Sequence, residues 1–224
     1  MRTQVSGVTA EELAERYPVL FHLAYGGAWP CILRYGLLST EALLDVLGVQ
    51  GERRHQLLSG LRHESVSLEG LDCGKVVIRD HAMNEAQLAR VLRGITPREW
   101  YELLNRYVFL WPTEDRLSRM HKKYEGEPQT ILRLDTRALL DRHSSRVLLS
   151  PYNSGSTVYK PVERGRETFQ PLASYPYQQR RRAVAEILIE GGIPDVEDFV
   201  LDVTDANKGS RKVIWSRGSR GARS

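Results

Sequence analysis

Cysteine is nearly absent from this chain: Cys31 and Cys73 are the two that occur in 224 residues. Two cysteines cannot build the multi-bridge framework of a small secreted domain, so the sequence reads as a protein of a reduced compartment. Long apolar runs are missing too. No stretch approaches the roughly 18 apolar residues of a membrane span, and the opening MRTQVSGVTAEELAERYP lacks the apolar segment of a secretory signal. The expectation is a soluble, cytoplasmic protein with no membrane association.

Several function classes lack their signatures. Neither GxGxxG nor GxxxxGK[ST] occurs, which removes sequence support for a Rossmann or P-loop site, and the absence of GxSxG argues against an α/β-hydrolase. His55, His63, Cys73 and His81 are spaced eight to ten residues apart, which fits no zinc pattern, so no metal is expected. Lys75 to His81 could pass for a nuclease strand carrying Asp80 and His81, but no second acidic cluster accompanies it to share a metal. What is present is globular: 41% hydrophobic and 27% charged residues suit one core and exclude a disordered chain.

The net charge of +4 invites a nucleic-acid reading, but its distribution weakens that argument. From Lys208 onward there are six basic residues and no acidic ones. Removing them leaves 26 basic against 28 acidic residues, so residues 1–207 carry a net −2. The sequence therefore divides into a domain over 1–207 and a flexible basic tail over 208–224, whose functional reading is a nonspecific phosphate contact.

Cap signals punctuate the domain. Thr9 with Glu12 forms a capping-box pattern, and Tyr17-Pro18 ends the helix it opens. Thr96-Pro97-Arg98-Glu99 opens a second helix running to about Tyr107. Ser39 or Thr40 opens another that Gly48 closes, and Asn84 opens one that Gly94 closes. Runs rich in β-branched and aromatic residues predict strands over 19–24, 75–80, 108–111, 130–134, 147–150, 186–190 and 199–204. Helices concentrated early and strands late indicate an α+β domain with a largely antiparallel or split sheet. Residues 151–179 read as one long loop, the kind that forms lids or mobile segments.

Two segments carry chemistry. In the first, Phe21-His22-Leu23-Ala24 precedes Trp29-Pro30 and a helix that stops at Gly36-Leu37-Leu38-Ser39-Thr40. His22 is either a core histidine satisfied by a carbonyl or a ligand contact. In the second, Ala185-Glu186-Ile187-Leu188-Ile189 sets a glutamate among apolar neighbours, where it needs a partner unless it faces solvent at a sheet edge. Together, the histidine strand with GLLST and the late A-E-x-L-(I/V) strand before Ile193-Pro194 resemble the ADP-ribosyltransferase superfamily, most nearly the DarT-like enzymes that modify DNA. The region from Tyr17 to Val203 also resembles a bacterial domain family of unknown function related to them.

That resemblance implies a split antiparallel sheet with NAD in its cleft and no metal. It implies that His22 contacts the NAD ribose, that Gly36, Leu37, Ser39 and Thr40 line the nicotinamide and ribose pocket, and that Glu186 is the catalytic acid. An arginine between the motifs assists in such enzymes, and Arg62 and Arg79 are the two candidates. The loop residues Tyr152, Asn153 and Ser156, with Arg181 from the Arg180 to Arg182 cluster, are the expected acceptor contacts, and Tyr159 offers a further stacking surface. The acceptor implied is nucleic acid first and protein next, with an antitoxin partner by analogy. One departure stands out: related enzymes often carry a hydroxyl two positions after the histidine, where this chain has Ala24. Ala24 keeps rival expectations open, namely a catalytically silent binding domain, an NAD hydrolase or an RNA 2′-phosphotransferase.

Overall fold

The computed structural model describes residues 7–80, 83–157, 162–177 and 184–218. In chain order the elements are α1 (Ala10–Arg16), β1 (Val19–Tyr25), α2 (Trp29–Tyr35), β2 (Leu37–Leu38), α3 (Thr40–Val46), α4 (Gly51–Ser59), β3 (Val66–Leu71), β4 (Gly74–Ile78), α5 (Glu85–Val91) and α6 (Pro97–Leu104). There follow β5 (Tyr107–Leu110), α7 (Glu114–Lys123), β6 (Gln129–Asp135), α8 (Thr136–His143), β7 (Val147–Ser150), β8 (Gln170–Pro171), β9 (Glu186–Glu190), β10 (Gly192–Ile193), β11 (Val200–Asn207) and β12 (Ser210–Ser216).

The fold is α+β, with antiparallel sheets and flanking helices. One four-stranded sheet runs β1-β6-β11-β12 and another runs β5-β9-β7-β8. They meet where Phe21 of β1 and Trp111, just beyond β5, exchange both backbone hydrogen bonds at 2.9 and 2.8 Å. Two ribbons complete the strands, β2 with β10 and β3 with β4. The main core lies between the sheets and takes Leu20, Leu132, Leu134 and Val203 from the first and Leu110, Leu149, Ile187 and Ile189 from the second. Leu188, between those two isoleucines, belongs instead to a second cluster with Trp100 and Phe169. Strand β9 is thus buried on both faces, which is why its sequence is a continuous apolar run.

The N-terminal caps form as the sequence indicates, while α5 and α6 end earlier than expected, at Val91 and Leu104. Thr9 with Glu12 and Thr96 with Glu99 make reciprocal capping boxes, while Ser39 and Asn84 accept from the backbone N–H of Ala42 and Gln87.

Three expectations need correction. Cys31 and Cys73 form a disulfide with their Cα atoms 5.1 Å apart, tying α2 to the β3–β4 turn. Two cysteines exclude a framework but suffice for one bridge. The 151–179 stretch is not structureless, since it contains β8 on the edge of the second sheet and a buried Arg164. The basic tail also begins as a strand. Lys208 and Gly209, both with positive φ (45° and 82°), make a two-residue hairpin turn that returns β12 along β11. Charge counting hid the β-branched and aromatic run Val213-Ile214-Trp215 inside that tail, and Trp215 packs on Trp29 with ring centroids 5.3 Å apart. Trp215→Ala should therefore cost about 1–2 kcal/mol and lower the thermal midpoint by about 3–6 °C, because the ring is half-buried. A midpoint unchanged within a degree would mean that β12 contributes nothing to the domain.

Candidate functional site

A cleft of about 510 Å³ opens between β1, α2, β4, α7 and the start of β9. Its size falls within the range of small-molecule sites. Local sequence positions its walls. Gly36 ends α2 with φ +86°, and a Cβ there would meet Pro194 Cα at 2.4 Å, so only glycine lets the α2 end approach the β10 turn. The next two residues form β2, which pairs with Gly192 and Ile193. That pairing fastens the first chemical segment to the turn that follows β9.

His22 points from β1 into this cleft, and its Nδ1 donates to the Phe109 carbonyl at 2.9 Å if that nitrogen carries the proton. The carbonyl contact expected of a core histidine is met at one nitrogen, and the residue also lines the cleft. Burial pushes its pKa down to about 4, assisted by the nearby Arg79 charge and opposed by the Phe109 bond. The ring is neutral at physiological pH. Trp111 stacks beside it, with centroids 6.4 Å apart and planes at 22°.

Glu186 opens β9, an interior strand, so the solvent-facing alternative for this residue does not hold. It is 3% exposed, and one carboxylate oxygen accepts from the Ser154 backbone N–H at 3.0 Å. Burial raises its pKa to about 7, against the Ser154 contacts and the fields of Arg116 and Arg164, which lower it. Arg164 holds that loop from behind by donating to the carbonyls of Ser154 and Ser156 at 3.1 and 3.0 Å.

The structure brings His22, Gly36, Leu37, Ser39, Thr40, Arg62, Arg79, Asn153, Ser156 and Glu186 to one cleft. The buried Ser39 serves there as the α3 cap. Tyr152 is not among the lining residues. Its hydroxyl is engaged behind the loop, 2.9 Å from both the Glu163 carbonyl and the Thr168 hydroxyl, so it does not present itself to a ligand. Arg181, with Arg180, Arg182 and Tyr159, lies outside the described residues, as does His81.

The two arginine candidates separate on their partners. Arg62 is 8% exposed and donates to the carbonyls of Arg79 and Leu57 and to Asn105 Oδ1, and burial lowers its pKa to about 10. Arg79 pairs with Glu127 at 3.1 Å, donates to the Ala24 carbonyl and lies 4.0 Å over the Tyr124 ring. Sequence reasoning missed Arg116 and Arg119, which reach the cleft from α7. Their i, i+3 spacing, continued by Met120 and Lys123, is the signal that would have found them. Among the described residues no group of three or more His, Cys, Asp or Glu is placed to hold a metal.

The model of a family of unknown function, DUF7002, matches residues 18–200. The chain belongs to DUF7002. The match runs from the residue before β1 to the first residue of β11, and so takes in both segments that build the cleft. No curated protein matches the chain. No helix among the described residues is long and apolar enough to cross a membrane.

Proposed function

We propose that this DUF7002 member is an NAD-dependent ADP-ribosyltransferase, its two four-stranded sheets being the halves of a split sheet around the NAD cleft. The observation that carries this reading is one buried carboxylate, Glu186, lining the same cleft as His22 and the Gly36 to Thr40 segment, although the two segments are remote in sequence. Cleavage of the nicotinamide–ribose bond develops oxocarbenium character, and nicotinamide departs neutral without needing a proton. A single carboxylate beside the ribose 2′-hydroxyl can then supply the main stabilisation. The acceptor forms the new bond to ribose C1′ as the bond to nicotinamide breaks, and the acceptor's proton passes to Glu186 or to water. His22, neutral and fixed by Phe109, would hold a ribose hydroxyl, and Arg79 is the assisting arginine, since Arg62 is committed to the scaffold. Nucleic acid is the first acceptor proposed and protein the second.

Incubating the purified chain with NAD alone, then with DNA, RNA or protein, tests this reading. Nicotinamide release and a mass gain of one ADP-ribose on one acceptor are expected. Release without an acceptor product would reduce the activity to NAD hydrolysis, and failure to bind NAD would end the proposal. One observation favours a silent binding domain instead. Ala24 contributes no hydroxyl, and Thr130 opposite it already donates to Asp205 at 2.6 Å. That reading predicts NAD bound but never cleaved, or not bound at all.

A further inference from the structure

Among the described residues six basic side chains line the cleft, and three of them already have a protein partner, Arg79 through an ion pair that is partly open to solvent. Arg62 donates to carbonyls and Asn105, Arg79 pairs with Glu127, and Lys123 pairs with Asp80 at 2.9 Å. The other three, Lys75 on β4 and Arg116 and Arg119 on α7, make no ion pair or side-chain hydrogen bond among the described residues. The segments outside the described residues contain no Asp or Glu, so no carboxylate side chain from there can neutralise them.

Arg116 and Arg119 share one face of the ten-residue α7 with Met120 and Lys123, and all four reach the cleft. The buried Leu117 anchors the helix by packing with Phe21 and Trp111. Arg116 also stands in the first turn beside Glu114 and Asp115, where the helix's unpaired N–H groups favour an anion. A cleft that carries three cations outside any ion pair, with Arg116 acting on Glu186 only at longer range, is arranged for a ligand that brings negative charge. The guanidinium fork matches phosphate oxygens and stays charged at any physiological pH.

We infer that this face of α7 is a phosphate-binding strip, in which Arg116 and Arg119, with Lys75 of β4 on the same cleft, hold phosphate oxygens of the ligand. The strip rests on the cleft being the ligand site proposed above, but not on NAD being cleaved there. The phosphates can come from the pyrophosphate of a dinucleotide or from the backbone of a nucleic-acid acceptor.

Calorimetric titration of the full chain with inorganic pyrophosphate, ADP-ribose and mixed-sequence single-stranded DNA distinguishes these sources. It should be run on the wild type, on R116Q/R119Q and on R116K/R119K. The glutamine pair should weaken binding of at least one ligand about 10- to 100-fold, and the lysine pair should recover part of it. Loss confined to pyrophosphate and ADP-ribose assigns the strip to the dinucleotide. Loss on DNA, with the slope of log K against log salt shallower by about 0.7 per cation removed, assigns it to the acceptor backbone. Arg119 is exposed and Arg116 half-buried, so an unchanged thermal midpoint should accompany either result. Wild-type affinity of the glutamine pair for all three ligands would overturn the inference, as would a wild type that binds none of them. A wild type that binds through these arginines yet releases no nicotinamide from NAD would overturn the catalytic proposal and leave the strip standing.

Discussion

Glu186→Gln should cut nicotinamide release about 100- to 1,000-fold, the usual consequence of removing one preorganised group that meets charge developing in the transition state. The same substitution should make the protein more stable at pH 8. Glutamine keeps the shape and an acceptor for the Ser154 N–H, while removing a carboxylate held in an apolar setting. Because the folded pKa is raised from 4.5 to about 7, the folded chain binds a proton that the unfolded chain does not between those values. Wild-type stability from this group is therefore complete below pH 4.5 and declines as pH rises through 7. At pH 8 the loss amounts to about 3 kcal/mol at most, so the variant's midpoint should rise by up to about 6–12 °C there and by much less at pH 5. In the wild type, kcat/KM for NAD should climb with pH through about 7, as the carboxylate ionises in the free enzyme. Full turnover in the variant would remove Glu186 from the chemistry, and a variant no more stable than the wild type at pH 8 would remove the cost assigned to its burial.

His22 works in the opposite direction. Its folded pKa is depressed from 6.5 to about 4, so its contribution is present above pH 6.5 and is lost as the pH falls toward 4. Between pH 4.5 and 6.5 the two slopes cancel, since the folded state gains a proton at Glu186 while the unfolded state gains one at His22. A flat wild-type profile in that window would thus conceal two perturbed groups. Glu186→Gln should reveal the histidine as a loss of stability on acidification below pH 6.5, which also gives the variant a signature that mere tolerance of glutamine would not produce.

The placing of a neutral imidazole and a buried carboxylate on one cleft was partly legible in the sequence. Glu186 is flanked by Ala185 and Ile187 in an unbroken apolar run, and the burial that raises its pKa follows from that pattern. Gly36 and the caps at Thr9, Ser39, Asn84 and Thr96 were legible because cap chemistry is local. The short charged helices were not. In α4, GERRHQLLS, the buried residues are Leu57 and Ser59, and in α7, EDRLSRMHKK, the buried residue is Leu117, so neither shows an apolar stripe wide enough to register. Contacts with the rest of the fold stabilise them, and α7 for that reason delivered Arg116 and Arg119 unannounced. The fate of each arginine was equally hidden, because the acceptors of Arg62 come from three separate segments.

Arg62→Ala tests that last distinction, with a large expected loss of stability. Its guanidinium joins the end of α4 through the Leu57 carbonyl, β4 through the Arg79 carbonyl and the end of α6 through Asn105, which itself donates to the Leu58 carbonyl. Removing it strands three acceptors away from water, at about 1 kcal/mol or more each, and opens a cavity where the side chain lay. A loss of about 3–5 kcal/mol follows, or about 6–20 °C in thermal midpoint. Lysine should recover little, since one ammonium cannot span three acceptors set for a planar fork. Arg79→Ala should cost less stability, because its Glu127 partner is half-exposed and partly screened, which leaves the Ala24 carbonyl bond and the Tyr124 contact as the main losses. Its effect should appear as a lower kcat/KM for NAD. Denaturant unfolding of both variants beside NAD turnover reads the contrast directly. If Arg62→Ala kept its stability within 1 kcal/mol while losing turnover, Arg62 would be the ligand contact and Arg79 part of the scaffold. The proposed assignment predicts the reverse, because a side chain whose Nε, Nη1 and Nη2 all bond to protein acceptors would have to give up part of the scaffold to hold a phosphate.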